Sequence, residues 1–142
     1  MNNKLRVGVL GAGQIAQAAH FESCVKAKNA ELHAICDIAD DLRDRMAVTF
    51  GARKTFASYD AMLADPDVDA VIIATADAFH VDAARKALEA GKHVLCEKPL
   101  GLTVEEAESL RPVLKASGKH LQVGHMKRFD AGLQSAKDFI ET

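Results

Sequence analysis

The sequence has 142 residues, 49% of them hydrophobic and 27% charged, which is the balance of a single soluble globular domain and fits neither disorder nor membrane spanning. A formal net charge of −2 leaves no basic excess of the kind that neutralises a phosphate backbone, so nucleic acid is not an expected partner. Cys24, Cys36 and Cys96 are odd in number and show no C-x-x-C spacing, which argues for reduced, mostly buried thiols rather than a disulfide framework or thiolate metal site.

The apolar run Val7 to Leu10, after Lys4 and Arg6, is too short for a signal-peptide core, and the cytoplasm is the expected compartment. Strands are expected over Arg6 to Leu10, Glu31 to Cys36, Lys54 to Phe56, Ala70 to Ala74, His93 to Cys96 and Leu121 to Val123, all short β-branched or apolar runs. Helical period alternates with them at Ile15 to Ala27, Asp40 to Phe50, Tyr59 to Ala64, Val81 to Ala90, Thr103 to Ser117 and Ala131 to Ile140. Gly51, Gly91 and Gly118 punctuate helix ends, and Thr103 with Glu106 has the spacing of a capping box. Alternating strands and helices predict an α/β fold, a doubly wound parallel sheet of six strands in one continuous domain over residues 1–142.

The first strand runs into Gly11, Ala12, Gly13, Gln14, Ile15 and Ala16, a G-x-G-x-x-A turn where a helix begins. Gly11 permits the tight turn, Gly13 lets the backbone approach a pyrophosphate, and Ala16 lets the helix pack close to the strand. Strand before, helix after, and an acid at the end of the second strand together make this a dinucleotide-binding turn of the Rossmann type, with Gln14 and Ile15 among the cofactor contacts. That acid is Asp37. It can accept hydrogen bonds from the adenosine ribose, and its charge opposes the extra phosphate of NADP, so NAD is the expected cofactor and NADP the less favoured one. The less favoured reading is that Asp37 or Asp40 caps the next helix. Arg43 and Arg45 could reach a 2′-phosphate, although on a helix bearing Asp41 and Asp44 they read more simply as solvated surface charges.

Ligands of open α/β sheets sit beyond the carboxyl ends of the strands. The fourth strand there leads into Thr75, Ala76, Asp77, Ala78, Phe79 and His80, and the fifth into Glu97, Lys98 and Pro99. Lys98 has two readings: a proton carrier whose pKa a cationic nicotinamide would lower, or a surface lysine paired with Glu97. Pro99 favours an extended Lys98 and permits a cis bond between them.

GAGQIA, the acidic end of AICD, AGKHVLCEKPL and VGHMKRFD, in that order, resemble the Gfo/Idh/MocA (glucose-fructose oxidoreductase and inositol dehydrogenase) proteins over essentially the whole chain. The resemblance implies that Lys98 is the catalytic lysine beside nicotinamide and substrate. It implies also that Gly11, Gly13 and Ala16 cradle the pyrophosphate and that Asp37 reads the ribose. Thr75, Asp77, His80 and Glu97 are expected on the cofactor, the first three from a turn similar to the family's T-P-N-x-x-H, with Ala76 and Asp77 replacing the commoner Pro and Asn. Lys127 and Arg128 look like a basic pair leading towards a substrate domain, and Ala131 stands where a proline often follows the aspartate. Family members carry a second domain that supplies an aspartate and a histidine for proton transfer, and the chain is expected to be a piece lacking it. It would then bind cofactor with little turnover and expose an apolar face open to homo-oligomer formation or aggregation.

The implied reaction is hydride transfer at a CH–OH group of a sugar, polyol or cyclitol, by an NAD-dependent dehydrogenase. The alternatives are an NAD-sensing regulator and a stand-alone dinucleotide-binding module without catalysis, for which Lys98 in an EKP turn has no use. His20 and Cys24 share a helix face, but two ligands make no metal site, and no metal is expected. His33, His93, His120 and His125 read as strand-end and loop residues, with His125 and Lys127 near the mouth of the cleft.

Overall fold

Each of the six apolar runs becomes a strand and pairs in parallel with its neighbours: β1 (Leu5–Leu10), β2 (Ala30–Cys36), β3 (Lys54–Phe56), β4 (Ala70–Ile73), β5 (His93–Cys96) and β6 (Leu121–Val123), in the spatial order β3-β2-β1-β4-β5-β6. The computed structural model describes residues 4–141. Parallel neighbours require crossover connections, and these are α1 (Phe21–Lys26), α2 (Asp40–Phe50), α3 (Tyr59–Ala64), α4 (His80–Glu89), and the pair α5 (Val104–Glu108) and α6 (Arg111–Ser117). A last helix, α7 (Ala131–Glu141), follows β6 and buries none of its residues.

Burial on both faces explains why the strands are continuous apolar runs. In β4, Val71 and Ile73 enter a core with Met62, Ala84 and Leu88, while Ile72 enters another with Val9, Phe21 and Ile35. The side-chain period of two thus feeds two cores, one on each side of the sheet. Between Val7 and Gly8 the β1–β2 register shifts, leaving His33 as the extra residue of β2.

Two helices depart from the sequence expectation. The run 103–117 is not one helix but two, because Pro112 has no N–H to give the Glu108 carbonyl four residues back; it lies instead in the first turn of α6, where that donor is not required. Thr103 caps α5 as expected, accepting from Glu106 N–H at 3.2 Å, while the Glu106 carboxylate reaches back to Leu102 N–H at 2.8 Å. The helix after the glycine turn contains a π-helical stretch, Ala16–His20, with Phe21 N–H bonded to Ala16 O five residues back. Among the described residues no helix is long and apolar enough to cross a membrane.

Candidate functional site

The sheet order reverses direction between β1 and β4, so the loops at their carboxyl ends part and leave a crevice. Gly11 stands at that point with φ +95°, and a Cβ on it would lie 2.7 Å from Ala74 O. Only glycine lets β1 turn so close to the end of β4. Its N–H donates to Cys36 O at 2.8 Å, tying the turn to β2 as well. Gly13 differs: it is exposed, and nothing lies within 4 Å of the position its Cβ would take. The open space above Gly13, with Gln14 and Ile15 exposed at the start of the helix, is the shape a pyrophosphate requires, since first-turn amides have no partner inside the helix. Ala16, fully buried, packs the helix onto the sheet.

Asp37 closes β2, half-buried, and its carboxylate has two engagements. Oδ2 accepts from Ala12 N–H at 2.7 Å and Oδ1 from Ala39 N–H at 2.8 Å. The residue capping α2 is Ala39, with no side-chain cap bond, so Asp37 braces the glycine turn and the β2–α2 turn without being the cap itself. Arg43 is not the solvated charge the sequence suggested. Its guanidinium folds back onto Asp40 at 2.5 Å, Asp44 at 2.9 Å and Asp37 O at 3.3 Å, and the residue is 9% exposed. Carboxylates already bracket it and raise its pKa, foremost by the Asp44 hydrogen bond. Arg45 remains exposed.

Of the turn after β4, Asp77 is exposed in a 3-10 turn (Asp77–Phe79), and Thr75 keeps its Oγ1 enclosed with no hydrogen-bond partner among the described residues. His80 lies behind the crevice, not on its surface. Its ring is wholly buried, Nδ1 2.6 Å from Pro99 O and Nε2 3.1 Å from Thr75 O, so it latches the turn after β4 to the turn after β5. Both partners are carbonyls, and a neutral imidazole donates to one of them at a time. The position expected on the cofactor is thus buried between the two turns it joins.

The Lys98–Pro99 bond is cis, and Lys98 is exposed at the end of β5. Lys98 and Glu97 do not form the ion pair that was one reading of them. Glu97 instead sends Oε1 to His20 Nε2, 2.8 Å away, and accepts Lys98 N–H on Oε2 at 3.2 Å. Lys98 faces an open cleft of about 910 Å³, shared with His125, Lys127, Arg128, Lys137 and Asp138. The two halves of the expected site, glycine turn and lysine turn, thus lie along one edge of the sheet.

The contact of His20 with Glu97 is what local reasoning missed, because the two are 77 positions apart. A second cluster was missed too: ligand atoms of His33, Asp65 and Asp67 lie within 4.8 Å of one another, the one such group of three among the described residues. The Lys54 ammonium already lies 2.8 Å from Asp65 and 3.3 Å from Asp67, lowering the Asp65 pKa chiefly through its hydrogen bond. A cation position there is filled by the protein itself. Cys24, expected reduced and buried, is so, in the same core cluster as Phe21.

Comparison with known proteins agrees with this geometry. Residues 5–125 match the GFO_IDH_MocA family, described as an oxidoreductase family with an NAD-binding Rossmann fold. The chain belongs to that family. An inositol 2-dehydrogenase/D-chiro-inositol 3-dehydrogenase from Shouchella clausii is 38% identical over 139 residues, 96% of this chain and 40% of that protein. Among solved structures, scyllo-inositol dehydrogenase from Lactobacillus casei with bound NAD(H) and scyllo-inositol superposes with TM-score 0.90 at 30% identity, over 98% of this chain and 41% of that one. A 3-ketoreductase from Actinomadura kijaniata, in complex with TDP-benzene and NADP, superposes with TM-score 0.92 at 32% identity, over 98% and 44%. The chain spans about two fifths of the length of the Gfo/Idh/MocA relatives it matches.

Proposed function

We propose that this chain is the dinucleotide-binding unit of an oxidoreductase that acts on the CH–OH group of a cyclitol, sugar or polyol and prefers NAD to NADP. The observation that carries the reading is the exposed, unobstructed Gly13 turn at the switch point, with the Asp37 carboxylate at its back and Lys98 in the neighbouring cleft. When bound, the nicotinamide supplies hydride acceptance or donation. The chain's own residues do the rest. Gly11 and Ala16 shape the turn, Gly13, Gln14 and Ile15 offer main-chain amides to the pyrophosphate, and Asp37 accepts from the adenosine ribose. Thr75 and Asp77 border the nicotinamide side, with His80 holding their turn, and Glu97 orients the Lys98 turn through its bond to Lys98 N–H. Lys98 holds or receives the hydroxyl proton at Nζ.

Preference for NAD rests on two features: Asp37 would repel a 2′-phosphate, and Arg43 is already committed to Asp40 and Asp44. We infer further that the substrate is held jointly by the Lys98 cleft and by a second domain outside residues 1–142, so that this chain alone binds cofactor with little turnover. Calorimetric titration with NAD and with NADP, repeated on Asp37→Ala, tests the proposal. Tighter binding of NAD, with the preference narrowed in the variant, is the expected result; a folded chain that binds neither dinucleotide overturns it.

A further inference from the structure

Glu97 sits one residue before a lysine, yet its carboxylate does not neutralise that lysine. The carboxylate is nearly enclosed, its side chain 14% exposed beside a His20 side chain at 11%. Gly124 closes another side, since a Cβ there would stand 3.3 Å from Glu97 Oε1. Such a desolvated acid must have hydrogen-bond donors. It has two, His20 at Oε1 and Lys98 N–H at Oε2. The Lys98 ammonium, by contrast, takes part in no ion pair among the described residues.

The cleft around Lys98 holds Lys127, Arg128, Lys137 and His125 with the acid Asp138, and Lys127 and Lys137 are already paired, with Asp130 at 3.4 Å and Glu141 at 3.5 Å. His20 is the last residue of the π-helical stretch Ala16–His20, and its Nε2 lies 2.8 Å from Glu97 Oε1 at the end of β5.

We propose that His20 is a positioning residue: by occupying Glu97 Oε1 it keeps that carboxylate off the Lys98 ammonium and joins the helix of the glycine turn to the turn that carries Lys98. The inference rests on the reading of Lys98 as proton carrier. Without His20, Oε1 of a nearly buried carboxylate lacks its donor, and the flexible side chain of Lys98, the next residue in the chain, is a cation able to supply one. Lys98 is then drawn out of the cleft.

Competitive acetylation of the lysines of the whole chain, followed by mass spectrometry, reads this directly, with exposed Lys28 and Lys115 as internal references. In His20→Leu, labelling of Lys98 is expected to slow about two- to fivefold, the range of a partly exposed ion pair. His20→Gln, which keeps an amide donor, should label nearly as the parent does, and His20→Leu with Glu97→Gln should recover the parent rate because a neutral amide does not hold the ammonium. Should the leucine variant fail to fold, His20→Asn, whose amide falls short of Glu97, is read the same way. Unchanged or faster Lys98 labelling in a folded variant overturns the inference. NADH titration of the parent chain, run in parallel, separates the two questions: failure to bind counts against the cofactor reading and leaves the labelling comparison intact.

Discussion

Ala12 N–H donates to Asp37 Oδ2 at 2.7 Å, making the glycine turn and the acid at the end of β2 one hydrogen-bonded unit. The acid therefore has two functions, bracing the turn and presenting a carboxylate at its rim, and they can be separated by measurement.

Asp37→Asn keeps an acceptor oxygen but loses the charge, and also places an amide beside one of the two N–H donors. Its stability in urea should fall by about 1–2 kcal/mol, the cost of weakening bonds to a charged acceptor in a half-buried site. A stability equal to that of the parent would show that the bond to Ala12 contributes nothing to the fold.

Gly11 and Gly13 should respond in opposite ways to alanine. At Gly11 the added Cβ meets Ala74 O at 2.7 Å from a backbone with φ +95°, so Gly11→Ala should cost about 2–4 kcal/mol in urea unfolding. At Gly13 the Cβ enters open space, and Gly13→Ala should change stability by less than about 0.5 kcal/mol while weakening NAD binding at least about tenfold. Equal losses of stability would refute the division of roles.

Asp69 makes a prediction about acid. Arg6 binds it through Nε at 3.0 Å and NH2 at 2.8 Å, and the side-chain hydrogen bonds to Arg6 hold the carboxyl pKa down to about 2. A carboxylate whose folded pKa lies below its unfolded value adds stability above the unfolded pKa and loses it as pH falls through the folded one. The contribution should be complete above about pH 4 and gone below about pH 2. Because the pair is about one-third exposed, screening limits it to about 1 kcal/mol. Urea unfolding of Asp69→Asn should accordingly depend less on pH than the parent over that window, and parallel curves would count against it.

The three cysteines should be inert while the chain is folded. Burial raises the thiol pKa to about 11 at Cys24 and Cys36 and to about 12 at Cys96, and the thiolate is the reactive form. At pH 8 a thiol-specific reagent should label them at least about a hundredfold more slowly in buffer than in denaturing urea. Fast labelling of any one would place it at the surface.

Much of this protein was legible along the chain, because the signals are local. Short β-branched or apolar runs read as parallel strands, and β3, β5 and β6 have the bounds expected of them. The glycine turn was legible for the same reason: Gly11 and Gly13 have to be small where a backbone turns or a ligand approaches, whatever lies elsewhere. Pro112, in contrast, was a local signal overridden by a strong helical period, and the structure shows the proline prevailing.

What the sequence by itself determined, then, is the order and kind of elements and the positions at which a dinucleotide turn and a lysine turn occur. Tertiary structure alone decided how the side chains between them are spent. Whether Glu97 pairs with Lys98 or with His20 depends on a contact spanning 77 residues, and whether His80 faces a ligand or two carbonyls depends on the approach of two turns. Backbone preference acts within a few residues, whereas a polar side chain takes the partner that the packed chain brings within hydrogen-bond reach.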